Sequence, residues 1–320
     1  MYAMDIKQAV KEVDFSKFNA DVIIGGPPCQ GFSMAGARIR KNNFIDDPRN
    51  YLFKYYFKIV QQVRPKVFIL ENVKGILTME KGEIFKQILT LFSDEKNFNG
   101  ERYYLHHIVV KAIEYGIPQQ RERVFIIGSL NKELDIDNLI KFTQNSIVKK
   151  YPSFFDKVTV WDAISNLKNE NSEGVIKDLQ PQSKYQEFLS NTNNCTYNHI
   201  KPNHNEIATK RIKQISAGAN WTKLKDVIKS VHSGAYGRLE KTGVAPTITT
   251  RFDTPSGGRF IHPVEDRTLS PREGARIQSF PDEFKFLGNK TSVYKQIGNA
   301  VPPKLAYFWG LLIQEVLNND

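Results

Sequence analysis

The sequence predicts an α/β protein with a mostly parallel sheet, followed by a smaller and less regular second domain. Three observations carry that prediction. Short β-branched and apolar runs alternate with amphipathic stretches from Ala20 to Ser129, which is the pattern of strand and helix units. Beyond Leu130 the alternation lapses into a stretch richer in Asn, Lys and Ser. Near the C-terminus order returns in two segments.

The first strand is Ala20–Gly26, a β-branched run closed by glycines. Tyr51–Val63 carries Leu52, Tyr55, Tyr56, Ile59 and Val63 at helical spacing. Val67–Glu71 reads as a buried strand, Ile84–Phe92 as a helix, and Tyr103–Val110 and Arg123–Gly128 as further strands. From Asp135 to about Val244 the periodicity is irregular and turn signals are frequent, so this stretch reads as a second domain or a large insertion. Pro271–Gln278 reads as the first turns of a helix with proline at its start. Lys304–Leu317 is an apolar helix, and no internal repeat or low-complexity tract is present.

Composition narrows the function. At about 100–200 residues per domain, 320 residues allow two domains, and a 40% hydrophobic content is enough for a sizeable core, which excludes wholesale disorder. No run approaches the roughly 18 apolar residues of a membrane span, and Met1–Lys7 lacks the apolar stretch of a signal peptide. The expected location is therefore cytoplasmic, with no membrane partner. Two cysteines, Cys29 and Cys195, cannot build a disulfide framework, and six scattered histidines without a CxxC predict no metal site. Subtracting 34 acidic from 45 basic residues leaves a net charge of +11, which makes a polyanion the first partner to consider.

Four segments carry candidate chemistry, and each also has a plain structural reading. Gly25-Gly-Pro-Pro-Cys-Gln-Gly-Phe-Ser33 follows a strand end, where ligands of such sheets bind. Its prolines fix the backbone before Cys29 and its glycines admit a ligand, although a Pro-Pro turn with an incidental cysteine would look the same. Glu71-Asn-Val73 puts a carboxylate at the next strand end, or simply begins a solvated loop. Gln119-Gln-Arg-Glu-Arg123 offers forked donors from Arg121 and Arg123 to a base carbonyl or a phosphate, or forms a surface ion-pair cluster. Gln296-Ile-Gly-Asn-Ala-Val-Pro-Pro303 precedes the terminal helix and would otherwise be only a turn leading into it.

In this order the segments resemble the cytosine-C5 DNA methyltransferases of bacterial modification systems. Arg267-Thr-Leu-Ser-Pro-Arg-Glu273 and Gln278-Ser-Phe-Pro-Asp282 extend the resemblance, which spans nearly the whole chain. It implies a Rossmann-like S-adenosylmethionine-dependent sheet and a smaller, mostly irregular and β target-recognition domain. Residues 1–150 would be catalytic and 151–285 would recognise the target, with the recognising stretch from about Val158 to Val244. Residues 286–320 would return to the catalytic domain as a C-terminal helix. The resemblance further implies that Cys29 is the nucleophile that adds to cytosine C6, that Glu71 binds the base at N3 and its exocyclic amine, and that Arg123, with Arg121 near it, holds the O2 side. Asp5, Ile6, Pro28, Leu52, Asn299 and Val301 would contact S-adenosylmethionine, whose product is S-adenosylhomocysteine. Ser33–Asn50, with Gly36, Arg38, Arg40 and Lys41, would close over double-stranded DNA near the nucleoid, around a flipped cytosine.

One part of the family pattern has no counterpart: the opening strand with its Phe-x-Gly-x-Gly turn and a second strand with an acidic end. Two such strand and helix units are about 60 residues. Their lack would leave the run Val22-Ile-Ile24 as an unpaired sheet edge. The expectation is a fragment, or a subunit whose missing unit comes from a second polypeptide. Two other readings compete with the methyltransferase: a degenerate DNA-binding paralogue without activity, and an RNA cytosine methyltransferase.

Overall fold

A computed structural model describes residues 4–27, 51–168, 173–190, 195–224 and 233–319. Cys29, Pro28 and the loop 33–50 lie outside them. The helices are α1 (Ile6–Glu12), α2 (Tyr51–Val63), α3 (Glu83–Ser93), α4 (Ile136–Lys150), α5 (Val160–Ile164), α6 (Lys184–Leu189), α7 (Glu206–Ile212), α8 (Pro271–Ile277), α9 (Lys290–Asn299) and α10 (Pro303–Asn318). The strands are β1 (Val22–Gly25), β2 (Val67–Val73), β3 (Tyr103–Lys111), β4 (Gln119–Gln120), β5 (Glu122–Leu130), β6 (Ile176–Lys177), β7 (Cys195–Thr196) and β8 (Ala245–Pro246). The chain forms two compact units: residues 1–110, 122–142 and 312–320 make the first, and 111–121 with 143–311 the second.

The first unit is built on a four-stranded sheet in the order β1-β2-β5-β3. β1 runs parallel to β2, from Val22 opposite Val67 to Gly25 opposite Leu70. β5 runs antiparallel to β2, from Ser129 opposite Val67 to Arg123 opposite Val73. The sheet is therefore mixed, and the expectation of a mostly parallel sheet is corrected. The reason is visible in the connections. β1 reaches β2 through α2, the crossover that parallel pairing requires, whereas only a one-turn 3-10 helix (Ala112–Tyr115) and a short β4 lie between β3 and β5.

Helix spacing decides which face of each helix is buried. Phe53, Tyr56, Phe57 and Val60 of α2 recur at the i, i+3, i+4, i+7 positions of one stripe, and Ile84, Ile88 and Phe92 at the i, i+4, i+8 positions of a stripe on α3. Both stripes pack with Phe68, Leu70, Val124 and Ile126 of the sheet in one core. The Phe68 and Phe92 rings lie 4.4 Å apart, and the Tyr56 hydroxyl donates to the Ile69 carbonyl at 2.9 Å. This anchors α2 to the strand that carries Glu71.

The second unit has little sheet among its described residues: two-residue pairs β4 with β8 and β6 with β7. Short helices supply the order. α5 opens on a capping box of Thr159 and Asp162, and α8 opens on another of Ser270 and Glu273 with Pro271 in its first turn. Their apolar sides share a core with Ile248, Phe252, Val293, Tyr294 and Ile297. Buried arginines of α8 pin the surrounding loops. Arg276 makes a two-pronged pair with Asp282, and Arg272 donates to the carbonyls of Tyr197, Pro281 and Phe284. Burial pulls the Arg272 guanidinium down to about 10. α4 occupies the start of the stretch expected to be irregular; its Asn and Lys residues dilute the periodicity without breaking the helix. Among the described residues no helix is long and apolar enough to cross a membrane.

Candidate active site

The carboxyl end of β2 shapes the first part of the site. The side chain at Glu71 shares a sheet face with its antiparallel partner Phe125, and so with Arg123 two residues away. This diagonal places Arg123 Nε 2.9 Å from Glu71 Oε1, with both side chains only 16% exposed. Arg123 Nη1 also donates to the Glu122 carbonyl at 2.8 Å. Burial draws the Arg123 guanidinium below its ordinary value, and the Glu71 carboxylate pushes it back up.

The turn after β1 lies against the same carboxylate. A Cβ at Gly26 would come within 3.0 Å of Glu71 Oε2, so glycine lets the chain pass close beside it. The buried Asn72 amide donates to the Pro27 carbonyl at 3.0 Å, which ties the start of the Pro-Pro segment to β2. One oxygen of Glu71 is thus fixed by a cation, while the other faces the turn that leads to Cys29. This arrangement can hold a polar ring edge through paired hydrogen bonds in a partly dry setting.

The second unit holds the other candidate segments in a buried polar knot. Gln119 and Gln278 are both 0% exposed. The Gln119 amide donates to Gln278 Oε1 at 2.8 Å and accepts from the Ile248 backbone N–H at 2.8 Å. Gln278 in turn donates to the Ile297 carbonyl at 2.7 Å. Arg121, 3% exposed, reaches the Gly298 carbonyl at 3.3 Å. A Cβ at Gly298 would lie 2.4 Å from the Thr249 backbone. Four segments far apart in sequence are therefore held to one another by amide pairs. Both glutamines lie in segments that the sequence singles out, but nothing in the sequence marks them as fully buried or as paired with each other.

The expected cofactor contacts are distributed as follows. Asp5 caps α1, its carboxylate accepting from the Lys7 N–H at 2.8 Å, and Ile6 is the first residue of that helix. Leu52 is half-buried in the first turn of α2, against which α1 packs. Asn299 is exposed at the end of α9, and Val301 is half-buried in the turn before α10. Asp5, Ile6 and Leu52 belong to the first unit, Asn299 and Val301 to the second. The structure brings Glu71 and Arg123 together, and it commits Arg121 Nη1 to a backbone carbonyl.

Comparison with known proteins adds an independent line. The model of the family described as C-5 cytosine-specific DNA methylase matches residues 2–315. The type II methyltransferase M.DdeI of Desulfomicrobium norvegicum is 34% identical over 326 residues, covering 94% of this chain and 72% of the relative. The type II methyltransferase M.FnuDI of Fusobacterium nucleatum is 33% identical over 323 residues, covering 98% and 82%. Among solved structures, a prophage-encoded DNA modification methyltransferase of E. coli superposes with a TM-score of 0.68 at 27% identity, covering 98% of this chain and 85% of that one.

Proposed function

The chain belongs to the C-5 cytosine-specific DNA methylases, and we propose that it methylates a flipped cytosine through a covalent adduct with Cys29, as the methyltransferase of a restriction-modification system. The observation that carries the proposal is the Glu71–Arg123 pair set against the Gly26-Pro27 turn. The type II relatives support the modification role. With DNA as its substrate, its place is the cytoplasm beside the nucleoid.

The residues divide the work. The Cys29 thiolate attacks cytosine C6; an S–C6 bond forms and the C5=C6 π pair moves to C5, making C5 nucleophilic. Glu71 accepts from the exocyclic amine and holds a proton at N3, stabilising the ring as charge develops. Arg123 keeps Glu71 in place and offers donors on the O2 side. When bound, S-adenosylmethionine would supply an electrophilic sulfonium methyl to C5, its S–CH3 bond breaking to leave the neutral thioether S-adenosylhomocysteine. Loss of the C5 proton to solvent then re-forms C5=C6 and expels the Cys29 thiolate, and the N3 proton returns to Glu71. The base must leave the duplex stack for any of this to occur.

The residues proposed to hold the methyl donor fit its groups. Among the described residues, Asp5 accepts from the Lys7 N–H with one carboxylate oxygen and can take an adenine amine on the other; Ile6, Leu52 and Val301 are apolar, Asn299 is an exposed amide, and Pro28 would join them from outside the described residues. Among the described strands β1 is paired on one side only, and Ile24 is 68% exposed. This edge supports a further strand, from another segment or a second polypeptide, completing the sheet. Calorimetric titration of the chain with S-adenosylmethionine tests this: tight binding by the chain alone would contradict the need for a second polypeptide.

The test of the mechanism is trapping. A duplex carrying 5-fluorocytosine at the target, with S-adenosylmethionine, should yield a stable protein–DNA adduct, because fluorine at C5 cannot leave as a proton does. Cys29→Ser should bind the same duplex and yield none. An adduct in the serine variant, or none in either protein, would overturn the assignment.

A further inference from the structure

The second unit contains a cleft of about 770 Å³ whose lining includes Gln120, Asn220, Glu240, Thr247 and Arg259. Most of its polar side chains are bound to its own walls. Asn220 caps a turn through Thr222 and donates to the Ser233 carbonyl; Thr247 donates to the Gln120 carbonyl; Arg259 Nη1 donates to the carbonyls of Gly218, Ala219 and Arg238. The exposed Gln120 amide and the exposed Glu240 carboxylate, with the small Ser233 hydroxyl, have no side-chain hydrogen-bond partner among the described residues.

The backbone makes room for that carboxylate. Gly218 has φ +75°, and a Cβ there would overlap Glu240 Oε1, so the glycine both takes the left-handed turn and leaves space for the acid. A carboxylate is out of place beside phosphates, which a chain of charge +11 otherwise attracts. Its hydrogen-bonding complement on DNA is an exocyclic amine: cytosine N4 or adenine N6 in the major groove, the edges that Glu and Asp, and Asn and Gln, respectively read. From this we infer that Glu240 and Gln120 read base edges, Glu240 requiring an amine-bearing base, cytosine or adenine, at one position of the recognised sequence. The inference rests on the reading of the chain as acting on duplex DNA, and it names the residues that set its sequence preference.

The experiment uses a library of duplexes randomised around a cytosine. The bound pool and the C5-methylated pool are sequenced separately for the wild type, Glu240→Ala and Gln120→Ala. The wild-type bound pool should demand cytosine or adenine at one position. Glu240→Ala should admit the other bases there, with discrimination reduced about tenfold or more, while the remaining positions keep their preferences. Gln120→Ala should relax a different position. A wild-type motif with no amine-requiring position, no motif at all, or variants whose motifs match the wild type would overturn the inference. Failure of the catalytic reading is separate: a bound pool with a motif and no methylated pool would contradict methylation while the Glu240 comparison in the bound pool still decides the inference.

Discussion

At the scale of single residues, the informative groups are those held in environments they would not choose. Arg123 is charged, largely buried and answered by Glu71 at 2.9 Å; such a pair orients a carboxylate more surely than it adds stability. Lys304 is the sharper case. It is 3% exposed, donates to the carbonyls of Gly116 and Phe154, and lies over the rings of Phe154, Tyr185 and Phe188. Burial brings its pKa down to about 7, against an upward pull from Asp156. Between that value and the ordinary lysine value the unfolded chain binds a proton that the folded chain does not, so folding stability rises with pH across that window; below about 7 both states are protonated and the cost of burying the charge is constant. Urea denaturation of the wild type and Lys304→Met should therefore show a stability difference that moves in favour of the wild type from pH 7 to 9, by up to about 1.4 kcal/mol per pH unit, and is flat below pH 7. A difference independent of pH would contradict this account of Lys304.

At the scale of elements, the same substitution should have opposite signs at two glycines near the C-terminus. Gly298 lies in the last turn of α9 against the Thr249 backbone, where a Cβ would lie at 2.4 Å, whereas Gly310 in α10 has nothing within 4 Å. Gly298→Ala must push backbone against backbone and should destabilise by about 1–3 kcal/mol. Gly310→Ala sits on an exposed helix position and should stabilise by up to about 1 kcal/mol. Thermal denaturation of the two variants beside the wild type checks both signs. Elements also differ in how readable they were. α2 begins and ends as its apolar spacing predicts, Tyr51–Val63, because one stripe of large side chains marks it. α4 is hidden in the apolar pattern because two of its apolar residues, Phe142 and Val148, face solvent while polar Thr143 is buried, and α9 because a polar face outweighs its buried Val293, Tyr294 and Ile297. The direction of β5 could not be read, since an apolar run looks the same whichever way it is paired.

At the scale of the whole molecule, the net charge of +11 leads to a prediction about DNA affinity. If the excess of Lys and Arg meets phosphates, the logarithm of the binding constant should fall linearly with the logarithm of salt concentration, with a slope near −0.9 per phosphate contact. Filter binding or fluorescence anisotropy of a short duplex from 50 to 200 mM salt measures it, and an affinity indifferent to salt would contradict a phosphate-tracking surface. The charge says nothing about where on the chain the contacts fall.

Local sequence determined the alternation of strands and helices, the prolines and glycines at the strand ends, and the residues able to do the chemistry, because these depend on neighbours a few positions away. Tertiary structure alone decided that β5 runs against β2 and so sets Arg123 diagonal to Glu71. It also decided that Gln119, Gln278 and Gly298 are spent on one another's segments, and that Glu240 is left facing an open cleft. A side chain's residue type states what hydrogen bonds it can make. Which of them remain available is settled only when partners more than a hundred residues away have been brought beside it.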